Sequence, residues 1–202
     1  MKIRIIAMAG AALATTLVLA GCSQPSMGSM PGMGTDSSAS SAPATSGKHN
    51  SADVDFAQMM IPHHKQAVEM SDMLLAKDGA DSRVRDLAQK IKDAQNPEIT
   101  KMTGWLKQWG ATVPDSSSGM SGMDHGDGMM SQADMDKLKQ ATGAEASKLF
   151  LEQMIQHHQG AITMAQAEVK NGKDSDAVAL ARSIVSAQTS EISEMQTLLS
   201  NL

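Results

Sequence analysis

Two adjacent histidine pairs, His63–His64 and His157–His158, lie in stretches rich in methionine. Imidazole nitrogen with thioether sulfur is a soft donor set, suited to Cu(I) and tolerable for Cu(II), and neither donor has to lose a proton that a thiolate would. The spacing adds to the residue types. Phe56, Met60, His63, Ala67, Met70 and Leu74 follow at steps of four and three, which places them on one seam of a helix. The same steps return at Phe150, Met154, His157, Ala161 and Met164, with His158 beside His157 as His64 is beside His63.

A second pair of stretches repeats as clearly. Leu87, Ile91, Ala94, Gln95, Glu98, Ile99 and Met102 correspond to Leu180, Ile184, Ala187, Gln188, Glu191, Ile192 and Met195. At about 100° per residue His63 and His157 face the seam, while His64 and His158 flank it. Glu98 and Glu191 fall on the seam of the partner helices, four residues after Ala94 and Ala187. The centre would then gather two imidazoles, two carboxylates and the six thioethers of Met60, Met70, Met102, Met154, Met164 and Met195. Burying ionisable groups is costly unless they pair with one another or bind a metal. A metal-free alternative stays open, in which His63 and His157 bond Glu191 and Glu98 as a polar clamp and the protein is a structural or interaction module of the envelope.

These residues need helices to position them. The first is expected from Ser51 or Asp53 to Lys77, closed by Asp78 and Gly79, and the second from an Asp81 or Ser82 cap to Trp109 and Gly110. A short helix over Ser131–Gln140 is interrupted by Gly143, and long helices follow from about Ala144 to Lys170 and from Asp174 to Leu199. Two hairpins that each expose an apolar seam bury it by packing together. The expected fold is therefore an all-α four-helix bundle built from a duplicated hairpin. Pro62 and Pro97 lie next to His63 and Glu98, and should free the carbonyls of Gln58 and Asp93; the repeat has Gln156 and Ser190 there, so the halves are not equivalent.

The segments outside the bundle carry their own signals. Lys2 and Arg4 precede an apolar run, Ile5–Ala20, that ends in Leu19, Ala20, Gly21 and Cys22. This reads as a lipoprotein signal peptide over residues 1–21 with Cys22 as the lipidated residue, so that the mature chain is secreted across the cytoplasmic membrane and lipid-anchored, in the periplasm or at the outer surface. Residues 22–50 are too poor in apolar side chains to fold and read as a tether, in which Met27, Met30 and Met33 recur between small residues. The bundle occupies residues 51–202: a hairpin over 51–110, a Met-rich linker over 111–130 and a hairpin over 131–202. In the linker Met120, Met123, Met129 and Met130 surround Asp124, His125 and Asp127, a composition fitted to capturing copper from solution.

Composition excludes several classes. The 202 residues include 18 Met against two Phe, two Trp and no Tyr, so the apolar mass is aliphatic and thioether. One cysteine rules out an intrachain disulfide, and a formal charge of -5 argues against a nucleic-acid partner. No Ser/His/Asp set or phosphate loop is visible. A di-metal oxidase usually carries Glu three residues before a core His, whereas the residues three before the four histidines are Met60, Ile61, Met154 and Ile155. Binding rather than catalysis is the expectation, with a weak metal-dependent oxidase as the lesser alternative.

The doubled motif, Phe56 with Met60, His63, His64, Ala67 and Met70, and Phe150 with Met154, His157, His158, Ala161 and Met164, resembles the secreted bacterial family known as domain of unknown function 305. The resemblance covers residues 53–200. It implies a ferritin-like four-helix bundle and, from CopM-type periplasmic copper-binding proteins of that family, copper binding or copper tolerance through the matching Met and His residues; buffering of copper, or its transfer to an envelope copper-transport protein, is the role expected of such a site.

Overall fold

In the computed structural model, residues 48–114 and 128–202 are described. Five helices follow in order: α1 (Ser51–Leu75), α2 (Ser82–Trp109), α3 (Gln132–Gln140), α4 (Gly143–Asn171) and α5 (Ser175–Leu199). Among the described residues there are no strands. The boundaries have local causes. Asn50 caps α1 by accepting from the backbone N–H groups of Ala52 and Asp53, and the Asp53 side chain accepts from the Asn50 N–H in return. Asp81, Ser131 and Asp174 cap α2, α3 and α5 with their side-chain oxygens. Gly110 ends α2 at φ +70, the left-handed conformation that glycine adopts without strain. Pro62 and Pro97 lie inside α1 and α2, which run on through them.

The four long helices form the bundle, α1 pairing with α2, α4 with α5, and α1 with α4, while the short α3 lies across α1 and α4. The apolar core falls into two clusters. One joins Met70, Leu74, Leu87, Ile91, Phe150, Met154 and Met195 with Leu138 of α3. The other joins Phe56, Met60, Ile61, Met102, Leu106, Met164 and Ile184. Each draws on both hairpins, as the duplicated seam requires. On α2 and α5 the buried line runs through Gln95 and Gln188, whereas Ala94 and Ala187 are exposed. The seam read from the sequence was thus displaced by one residue there. Among the described residues no helix is long and apolar enough to cross a membrane.

Ends of the bundle are tied by matching backbone contacts. Asp53 of α1 accepts from the N–H groups of Lys173 and Asp174, both at 2.9 Å, before α5. At the equivalent place in the other half, Ser147 Oγ of α4 accepts from the Asp81 N–H at 2.8 Å, before α2.

Candidate metal centre

Between the two apolar clusters lies a polar layer. His63 of α1 and His157 of α4 meet there with ring centroids 3.7 Å apart and planes inclined by 39°. Both are about 1% exposed. Two imidazolium rings so close and so dry would repel, and the pKa of His157 lies well below its ordinary value. Burial is the largest cause, then the His63, His158 and His64 rings; a backbone group of His63 opposes the shift as the smallest contribution. His157 is therefore neutral at neutral pH. Neither of its ring nitrogens makes a hydrogen bond of normal geometry, so the one without a proton is a buried lone pair free for a Lewis acid.

His64 and His158 extend the layer. The flanking position read for them is corrected: both side chains are fully buried, and each bonds a carboxylate on the other helix of its own hairpin. His64 Nε2 lies 2.7 Å from Glu98 Oε2, and His158 Nε2 lies 2.7 Å from Glu191 Oε2. The polar clamp thus uses these pairs, not His63 with Glu191 or His157 with Glu98. In a neutral imidazole that bonds a carboxylate through Nε2, Nε2 is the donor and Nδ1 is the lone-pair atom. Nδ1 of both rings is buried with no partner. A histidine held by a carboxylate at one nitrogen and bare at the other is arranged as metal-ligating histidines commonly are. Glu98 and Glu191 are at the rim rather than on the buried seam, with side chains 22% and 21% exposed. Gln95 and Gln188 lie along the buried line between the clusters, and each has a buried Oε1 with no donor.

Thioethers bracket the layer. Met60, Met102 and Met164 belong to the cluster on one side, Met70, Met154 and Met195 to that on the other, all at most 6% exposed. Among the described residues, no three His, Cys, Asp or Glu side chains converge as a group that could hold a metal ion. The donor chemistry fits a soft cation, and the bare buried nitrogens are the observation that supports the fit.

Cys22, Met120, Met123 and His125 lie outside the described residues, as do the signal peptide and nearly all of the tether. Of the linker methionines that are described, Met129 is half-buried and Met130 is 5% exposed within the first cluster. Met130 was read as a solvated linker residue; it is a core residue.

Sequence reasoning missed a buried acid pair at the far end of α4. Glu168 is 1% exposed, and as carboxylate oxygens its Oε1 and Oε2 have no donor to accept from. Its pKa is pushed up to about 8, by burial first and then by Asp53 and Asp174. The proton so retained is donated to Asp53. Burial raises the pKa of Asp53, but the backbone donors of Asn50, Asp174 and Lys173 together with Glu168 outweigh it and leave a lowered value. The signal available was a mismatch: Glu168 occupies the position that Leu74 has in the other half.

Among curated proteins none matches this chain. Several solved structures do. A DUF305 fragment from Deinococcus radiodurans is 29% identical with a TM-score of 0.68, covering 77% of this chain and 100% of that one. A DUF305 protein from Streptomyces coelicolor is 36% identical with a TM-score of 0.67, covering 74% and 91%. CopM in its Cu(II)-bound form is 32% identical with a TM-score of 0.64, covering 74% and 96%, and CopM has also been solved with Cu(I) and with Ag. The sequence profile of domain of unknown function 305 matches residues 53–199. This duplicated bundle, with its layer of four histidines between two methionine-bearing clusters, belongs to the DUF305 family.

Proposed function

We propose that the protein binds copper in the histidine layer and buffers it or passes it to another protein of the cell envelope. The supporting observation is the neutral, buried His157, whose ring nitrogens make no hydrogen bond of normal geometry and which lies between clusters that each carry thioether sulfur. His63 and His157 would supply nitrogen. Met60, Met70, Met102, Met154, Met164 and Met195 are the sulfur donors at hand, and Glu98 and Glu191 would hold His64 and His158 in the tautomer that leaves Nδ1 bare. Soft donors with no proton to lose favour Cu(I). The likeness to CopM, solved with Cu(I), Cu(II) and Ag, supports the same reading.

Binding is proposed in preference to catalysis, since no Glu three residues before a core His supplies the di-metal carboxylate signature. The Met-rich tether and linker, with Met120, Met123 and His125, would capture ions, and acylation of Cys22 would keep the protein at a membrane outside the cytoplasm. The S. coelicolor relative, described as a candidate secreted protein, agrees with that location. A second reading has its own support: the His64–Glu98 and His158–Glu191 bonds satisfy one nitrogen of each ring without metal and brace each hairpin, as a purely structural layer would. Titration of the metal-free protein with Cu(I) against a competing chelator separates the two. Stoichiometric binding that His63→Ala with His157→Ala abolishes supports the copper site; binding unchanged in that variant moves the site elsewhere, and absence of binding leaves the structural layer.

A further inference from the structure

Residues 128–130, just ahead of α3, lie against the bundle and are held there at both ends. Gly128 is buried with φ +76, and a Cβ on it would stand 2.7 Å from the carbonyl oxygen of Gln156 and 3.0 Å from Gly160 N and Cα. Only glycine lets this backbone lie against α4. Two residues on, the Met130 N–H donates to Gln66 Oε1 at 2.7 Å and the Met130 carbonyl accepts from Gln66 Nε2 at 2.9 Å, both bonds buried. The Met130 side chain enters the core.

Gln66 and Gly160 hold equivalent positions in the two halves, each three residues after the histidine that meets its counterpart, His63 or His157. Residues three apart are neighbours on a helix surface, so the three-residue strap crosses from α4 to α1 beside the His63–His157 contact. The duplicated seam needs no such strap, since α1 and α4 pack on each other directly. Instead the two halves differ here, with a side chain that grips a backbone in one and a glycine that makes room for it in the other.

We propose that Gly128–Met130 is the removable wall of the histidine layer, past which the ion enters and leaves between α1 and α4 rather than past Glu98 and Glu191. Gln66 and Gly128 are positioning residues in this scheme. The proposal rests on the copper reading for the identity of the ion, but not for the access route.

The test uses the full chain. Acylation of His157 by diethyl pyrocarbonate, followed by peptide mass spectrometry on metal-free protein, reads the route without any metal. Gln66→Ala, which removes both bonds and adds no volume, and Gly128→Val should each raise the acylation rate at least tenfold, with helix content retained. Gly110→Ala, at a left-handed glycine with open space around it, serves as the control for backbone strain and should leave the rate unchanged. Ag(I) release to a chelator should accelerate in the same two variants by a similar factor, while the equilibrium affinity moves less. In the parent, His157 acylation should keep pace with amide exchange at Met130, a comparison that needs no variant to fold. Acylation that instead keeps pace with the α4 amides, or that is unchanged in folded Gln66→Ala, overturns the wall. A parent that binds no Ag(I) overturns the copper reading, and the acylation result still decides the wall.

Discussion

His63 and His157 lie with ring centroids 3.7 Å apart although they come from different hairpins, so neither hairpin holds the centre alone. Replacing both by alanine removes the two nitrogen donors that meet across the hairpins and leaves only the Nδ1 atoms of His64 and His158 in the layer. Cu(I) affinity is expected to fall by at least about 100-fold, beyond the 10–100-fold typical of losing an outer-shell partner. Competition titration measures it, with circular dichroism confirming that the helices persist.

Glu98 and Glu191 act one bond further out. Truncating Glu98 to alanine leaves a buried His64 N–H with no acceptor, and a cost of about 1–3 kcal/mol is expected in chemical denaturation. Copper affinity should fall by about 10–100-fold if His64 is held for the metal, whereas a structural layer shows the stability loss alone.

The Asp53–Glu168 pair gives a pH dependence of definite sign. The folded pKa of Glu168, about 8, lies above its ordinary 4.5, so over that interval the folded chain keeps a proton that the unfolded chain has lost. The stability from this group is complete below the lower value and declines as pH rises through the upper one. Asp53, with its lowered pKa, contributes the opposite slope only in acid. Glu168→Leu, which installs the residue found at Leu74, should flatten the decline between pH 5 and 8.5. At the alkaline end it should raise the melting temperature by at least about 3 °C in calorimetry. A parent whose melting temperature does not fall over that range would contradict the assignment.

The two end ties differ in size. Ser147 accepts one backbone N–H across the hairpins, whereas Asp53 accepts two there and a third from Asn50. Ser147→Ala is expected to cost about 1 kcal/mol and Asp53→Ala about 2–4 kcal/mol, because charged acceptors make the stronger bonds. Urea denaturation at pH 7 compares them directly.

The long helices, their caps at Asp81 and Gly110, and the inward aim of His63 and His157 were legible because apolar periodicity and capping chemistry are local properties of the chain. The burial of His64 and His158 was not. A helical wheel assigns one inward face, but α1 and α4 are each packed against two neighbours, so the buried arc is wide enough to take in adjacent residues. The displacement from Ala94 to Gln95 has the same origin: glutamine reads as polar, yet here its side chain belongs to the layer. Met130 was misread because its loop composition looked solvated, and only the long-range grip of Gln66 puts it inside. Asp53 and Glu168 are distant in sequence, and nothing local announces a shared proton.

The division of the core into two clusters bears on how the protein comes apart. Every long helix contributes to both, so no hairpin can detach and leave one cluster whole. Partial opening has no stable intermediate to rest in, and the bundle should unfold as a single cooperative unit. An ion shared between the hairpins would then be lost when that unit melts, and its binding energy would appear undiminished in the melting temperature.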